Sequence, residues 1–145
     1  MVQQDAIKVV RESIEAFNAG DTKRFSNTLS SDAVYEEFAT QRRVSGRDEI
    51  VKAVMGWRQA FPDAKGAISH IVASGNTVTM EITWEGTQRG PLVGAAGTIP
   101  ATGKRVKVPA AQVVIVEGGK LKSTRHYFDM MTLMQQLGVA PGGGH

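Results

Sequence analysis

At 145 residues, with 41% hydrophobic and 21% charged side chains, the chain has the size and balance of one globular unit around one contiguous core. It contains no cysteine, which excludes disulfides, thiolate catalysis and cysteine-held zinc or iron–sulfur centres. Its 17 Lys and Arg stand against 14 Asp and Glu and are scattered, without the dense basic stripe that nucleic-acid binding needs.

The first five residues show no basic segment leading into an apolar run, so no signal peptide is expected. No apolar stretch approaches the roughly 18 residues of a membrane span, and the expected location is the cytoplasm. Over residues 3–19, Ala6, Ile7, Val10, Ile14 and Phe17 recur at steps of three and four, the apolar face of a helix. Gly20 ends that helix, and Asp21 reads as the N-cap of a short second one through Phe25 and Leu29. Ser30-Ser31-Asp32 reads as a turn and residues 33–38 as a short strand. Residues 45–60 carry a helical stripe of Ile50, Val51, Val54 and Trp57 continuing to Phe61, with Ser45 and Asp48 placed as a capping box and Pro62 as the stop.

Beyond Pro62 the period changes to two. Residues 67–73 and 77–88 are expected strands joined at Ser74-Gly75-Asn76, and residues 105–116 and 121–128 are expected strands joined at Glu117-Gly118-Gly119. The Gly- and Pro-rich residues 89–103 between them read as a long loop. Residues 129–137 form a closing helix, with Gly138 after its last turn and Pro141 beyond. Gly142-Gly143-Gly144-His145 reads as a floppy tail. Residues 1–138 are thus expected as one domain and 139–145 as a flexible end. Helices followed by long antiparallel strands predict an α+β fold with helices on one face of the sheet.

Three stretches give this order a family likeness. They are Trp57-Arg58-Gln59-Ala60-Phe61-Pro62-Asp63, Ile99-Pro100-Ala101-Thr102-Gly103-Lys104-Arg105-Val106, and Glu117-Gly118-Gly119-Lys120-Leu121 with Arg125-His126-Tyr127-Phe128-Asp129 and residues 133–138. In order and spacing they resemble the SnoaL-like polyketide cyclase and ester cyclase group of the nuclear-transport-factor-2-like superfamily, over about residues 3–138. The resemblance implies a conical α+β fold, a curled antiparallel or mixed sheet with helices on its concave face, a deep cavity and a homodimer. The superfamily also holds limonene epoxide hydrolase and ketosteroid isomerase, so fold alone does not choose the reaction.

In the cyclases and the hydrolase the residue three before the terminal Asp is a catalytic Asp facing the cavity. Here that Asp is Asp129 and the position is His126. Imidazole exchanges protons near neutral pH, so His126 is a candidate general base or acid. The alternative is a histidine that only hydrogen-bonds at the pocket. Gln112, fourteen residues earlier, matches a polar cavity position of the cyclases and is a candidate donor to an enolate oxygen. Ala110 falls where those cyclases carry a second polar residue. On the first strand, relatives place a polar group near Tyr35, Glu36 and Glu37. Glu37, with a pKa raised by burial, is a second candidate base, and a solvated strand edge is its alternative. Asp129 itself reads as an N-cap. Trp84, Phe128, Tyr35 and Trp57 are candidate lining of an apolar ligand pocket, with plain core packing as the alternative.

Three dispersed histidines make no metal triad, no phosphate-binding Gly loop is present, and no Gly-x-Ser-x-Gly elbow occurs. Proton chemistry without a cofactor, on an apolar carbonyl compound, is the expected activity. A non-catalytic small-molecule-binding module is the main alternative. Epoxide hydrolysis lacks its Asp-Arg-Asp set here.

Overall fold

A computed structural model describes residues 2–94 and 97–139 of the chain. Its elements in order are α1 (Val2–Ala19), α2 (Thr22–Asn27), β1 (Leu29–Glu37), a 3₁₀ turn (Phe38–Thr40), β2 (Arg42–Ser45), α3 (Arg47–Met55) and α4 (Trp57–Ala60). Then come β3 (Lys65–Ser74), β4 (Thr77–Thr87), β5 (Leu92–Gly94), β6 (Gly97–Ile99), β7 (Arg105–Glu117), β8 (Lys120–Phe128) and α5 (Met130–Leu137). The expected floppy tail of Gly142 to His145 lies outside the described residues.

Six strands form one curved sheet in the order β2-β1-β8-β7-β4-β3. All neighbours run antiparallel except β1 and β8, which are parallel, so the sheet is mixed. The parallel pair follows from topology: the chain leaves β1, crosses by the helices and the β3–β4 hairpin, and returns along β8. Alternation along β7 buries Val106, Val108, Gln112, Val114 and Val116 on the face toward the helices. The helices cover that face, α1 against β3 and β4, α3 against β1, α5 against β7. Val10, Val78, Met80 and Val114 are wholly buried there. Full burial of each such side chain contributes about 1.5–3 kcal/mol.

Several ends form as the sequence dictates. Gly20 takes φ +68° after α1, and Asp21 accepts from the Arg24 backbone N–H at 3.1 Å. Asp129 caps α5 through Thr132, and Gly138 closes it at φ +79°.

Other expectations are corrected. Leu29 does not extend α2, which stops at Asn27. It opens β1, and the register slips from Leu29↔Leu121 to Val34↔Ser123, so Ser30, Ser31 and Asp32 bulge from a strand instead of forming a free turn. Residues 42–45 form the edge strand β2, whose paired arginines hid its pattern. Ser45 is therefore a strand residue and no capping box forms. Gly46 holds the N-cap place with φ +94°, a conformation that favours glycine. The single expected helix of residues 45–60 is broken at Gly56, where a Cβ would stand 2.8 Å from the Lys52 carbonyl oxygen.

The long loop holds a small hairpin, β5 with β6. Fully buried Gln88 organises its base. Its Nε2 donates to the Gly90 and Ile99 carbonyls, and its Oε1 accepts from the Thr102 backbone N–H and hydroxyl. Replacing Gln88 with Ala leaves the half-buried backbone groups of Gly90, Ile99 and Thr102 without this partner, and urea unfolding is expected to show a loss of about 1–3 kcal/mol. A loss within error of zero would mean the loop base does not depend on this amide.

Candidate functional site

One cross-strand row positions the site. Glu37 on β1 pairs with His126 on β8, His126 pairs with Gln112 on β7, and Gln112 pairs with Met80 on β4. Paired residues point to the same side of a sheet, so all four face the helices. Two residues earlier on β1, Tyr35 shares that face. All four, and Tyr35, are buried.

A hydrogen-bond chain runs along this row. The Tyr35 hydroxyl donates to Glu37 Oε2 at 2.6 Å and lies 2.9 Å from His126 Nδ1. The Trp84 indole N–H donates to His126 Nε2 at 3.1 Å. An indole nitrogen is a donor only, so Nε2 is the acceptor nitrogen. Neutral imidazole then carries its proton on Nδ1 and donates it to Tyr35 Oη, whose own proton is committed to Glu37. The order of donors from Trp84 to Glu37 is thus fixed by chemistry.

Glu37 is wholly buried and its carboxylate is well supplied. Besides Tyr35, Oε2 accepts from the Trp57 indole at 3.0 Å, and Oε1 accepts from Thr40 Oγ1 at 2.6 Å and Arg42 Nη2 at 3.1 Å. Burial alone would raise its pKa. The hydrogen bonds of Thr40, Tyr35 and Trp57 and the Arg42 charge outweigh burial and leave it below the usual carboxylate value. This corrects the expectation that burial raises the pKa of Glu37. It also replaces the solvated strand edge, which fits half-buried Glu36 and its exposed Arg43 partner. Tyr35 is pushed well above its ordinary pKa, first by burial and then by the Glu37 charge, so it stays protonated. His126 is pushed down to about 4 by burial, against the opposing pull of Glu37. At neutral pH the imidazole is uncharged.

The row opens into a cavity of about 920 Å³, its mouth included. Phe17, Phe25, Trp57, Phe61, Trp84 and Phe128 supply aromatic walls, with Ile14, Leu29, Ile50, Val106 and Val108 among the aliphatic ones. The polar lining is Tyr35, Gln112, Thr124, His126, Ser13 and, half-exposed, Glu85. The Gln112 amide has no hydrogen-bond partner among the described residues and is free for a ligand. Among the described residues no Lys or Arg lines the cavity. Among the described residues no group of three or more His, Cys, Asp or Glu is placed to hold a metal ion.

Of the expected site residues, His126, Gln112, Tyr35, Trp84, Phe128 and Trp57 all line this one cavity. Glu37 does not line it. It stands behind Tyr35 and Trp57 and reaches the cavity only through them. Asp129 caps α5 and is exposed. The sequence reading missed Thr40 and Arg42, the two partners of Glu37 Oε1. Their nearness to Glu37 in sequence, across a tight turn with Gln41 at φ +56°, was the available signal.

Residues 7–137 match the family model of the SnoaL-like polyketide cyclases. Among solved structures, one described as a SnoaL-like polyketide cyclase from Jannaschia sp. CCS1 superposes with a TM-score of 0.85 at 17% identity, covering 97% of this chain and 96% of that one. TsrD from Streptomyces laurentii gives 0.81 at 22% identity, with 95% and 98% covered. An epoxide hydrolase of the limonene epoxide hydrolase type from M. tuberculosis gives 0.73 at 22% identity, with 93% and 90% covered. No curated protein matches the chain by sequence.

The depressed pKa of His126 makes stability depend on pH. Above its unfolded value near 6.5 the neutral ring costs nothing extra; below it the unfolded chain binds a proton that the folded chain refuses until about pH 4. Between pH 7 and pH 5, urea unfolding of the wild type is expected to lose about 2 kcal/mol that His126→Gln does not lose. Equal losses in both proteins would show that the ring is not held neutral.

Proposed function

We propose, from the premise that the chain belongs to the SnoaL-like polyketide cyclase family, that it catalyses general-base chemistry on an uncharged, largely apolar carbonyl compound held in the cavity. One observation carries this reading: an uncharged imidazole and a free amide stand side by side in an aromatic pocket, with the imidazole wired through Tyr35 to a buried carboxylate.

His126 Nε2 takes the proton from the carbon beside the substrate carbonyl. The C–H electron pair moves into the enolate, and its oxygen accepts from the Gln112 amide. The imidazolium so formed donates through Nδ1 to Tyr35, and the Glu37 charge behind Tyr35 offsets the new positive charge. Glu37 is thereby a positioning residue rather than a base, since four donors already occupy its oxygens. The enolate then closes on a second carbonyl of the same molecule or is reprotonated elsewhere. These side chains suffice for the proton transfer without a cofactor.

A binding module without turnover is the second reading. The hydrogen bond that already occupies His126 Nε2 favours it. Epoxide opening has less support, because a neutral histidine stands where that chemistry places its Asp.

A panel of β-keto esters and polycyclic ketones separates the readings. Turnover by the wild type that falls by about a hundredfold or more in His126→Ala supports the enzyme. Its rate is expected to rise with pH through about 4 and then stay flat through neutrality, because the base works in its neutral form. A wild type that binds members of the panel, turns none over and still binds them as His126→Ala is a receptor. We also propose a second copy of the chain on the outer face of the sheet, where Phe38 and Tyr127 stack at 4.7 Å with 44% and 42% exposure. Sedimentation that returns only the monomer mass removes that part.

A further inference from the structure

Trp84 does more than form cavity wall. It belongs to β4, yet its indole reaches across β7 to a ring on β8. The β7 residue facing inward on that path is Ala110, next inward-facing residue to Gln112 and paired with Ile82 and Phe128. Its side chain is a single methyl group. On the other side of β4, Gly66 pairs with Trp84, and a Cβ there would come within 2.6 Å of indole Cζ3. Asn18 clamps Gly66 in place, donating to its carbonyl at 2.9 Å and accepting from its N–H at 2.7 Å. Phe17 meets the indole edge-on at 5.2 Å. Two minimal residues, a helix-end clamp and an aromatic contact thus aim one N–H at one nitrogen.

We propose that Trp84 is a positioning residue that masks His126 Nε2, holding it as an acceptor in the empty pocket and releasing it only when a ligand oxygen takes over the indole N–H. The consequence for catalysis rests on the reading of His126 as the base; the hydrogen-bond order does not. When Nε2 gains a proton it becomes a donor, and two N–H groups cannot share that contact. The indole then needs another acceptor. In the proposed proton transfer the ligand's carbonyl oxygen, beside Gln112, first takes over the indole hydrogen bond. The freed Nε2 lone pair then takes the proton from carbon as that oxygen becomes the enolate oxygen. The pocket thus matches ligands with a carbonyl oxygen in reach of both Trp84 and Gln112.

The groups around the ring are few. Tyr35 and Glu37 face it from β1, with Arg42 of β2 behind Glu37; Gln112 faces it from β7 and Trp84 from β4. Glu85 lies at the cavity lining and is tied to Arg105. Removing the indole N–H therefore changes one neighbour of Nε2 and leaves the charges as they are.

The test uses the full-length, ¹⁵N-labelled, ligand-free chain and the imidazole nitrogen shifts. In the wild type at pH 7, His126 is expected to carry its proton on Nδ1, with Nε2 showing an acceptor shift. In Trp84→Phe the titration midpoint of His126 is expected to rise by about 1 pH unit, the worth of one hydrogen bond that opposes protonation. A wild-type proton on Nε2, or an unmoved midpoint in a folded Trp84→Phe, overturns the proposal. The wild-type spectrum alone decides the hydrogen-bond order, so a variant that fails to fold does not protect it. Absence of turnover on the ketone panel would sink the enzyme reading and leave this spectrum as expected; a wrong tautomer would sink the mask and leave the panel result standing.

Discussion

The architecture of the site depends on one buried carboxylate. Glu37 has no exposed surface, and a lone charge in that position would be costly by several kcal/mol. It is kept ionised by four donors from four different pieces of backbone: Tyr35 on β1, Thr40 at the end of the 3₁₀ turn, Arg42 on β2 and Trp57 on α4. Satisfying that charge requires the turn at Gln41 to fold β2 back beside β1 and α4 to lie across the row. The ionised Glu37 then commits the Tyr35 proton, Tyr35 commits the Nδ1 proton of His126, and the imidazole is left with its lone pair on Nε2. A structural need at one end of the row dictates the chemistry presented to the cavity.

The parts of the fold legible in the sequence were those set by periodicity and backbone chemistry. Ala6, Val10 and Ile14 mark the buried stripe of α1, and Gly20, Gly138, Asp21 and Asp129 sit where caps require them. His126 and Gln112 were singled out through the family likeness, and the β7–β8 hairpin pairs them. What escaped were features set by contacts that periodicity does not show. Arg42 counted only among the scattered basic residues although it stands close to Glu37 in sequence, because the tight turn that brings the two together was not foreseen. Ser30, Ser31 and Asp32 have turn composition, and only pairing with β8 shows them as a bulge. Gly56 sits inside a helical stripe, and its break in the helix appears only where Trp57 turns to reach Glu37. The pKa of Glu37 failed for the same reason: burial was foreseeable, while three of the four donors that reverse its effect come from beyond the strand.

The family likeness implies an Asp where this chain carries His126, and the difference is one of charge. An Asp at that point would set a second negative charge beside Glu37 in a low-dielectric space, with Arg42 as the one cation already engaged. Histidine, neutral at pH 7, avoids that repulsion. The cost is driving force, since a base with a pKa of about 4 accepts a carbon-bound proton less readily than one near 7. In the proposed proton transfer the wire to Glu37 compensates only when positive charge forms on the ring, so its benefit would fall on the transition state and not on the resting protein.

On the proposed reading, the lack of a cation in the lining selects what can enter. Among the described residues no cationic side chain lines the cavity, and the Glu37–Arg42 pair behind the wall balances itself. A carboxylate or phosphate brought into those aromatic walls would lose its hydration without a partner, a cost of several kcal/mol. An uncharged carbonyl compound loses only the water on its oxygen, and the Gln112 amide replaces that. Selectivity thus comes from what the lining omits.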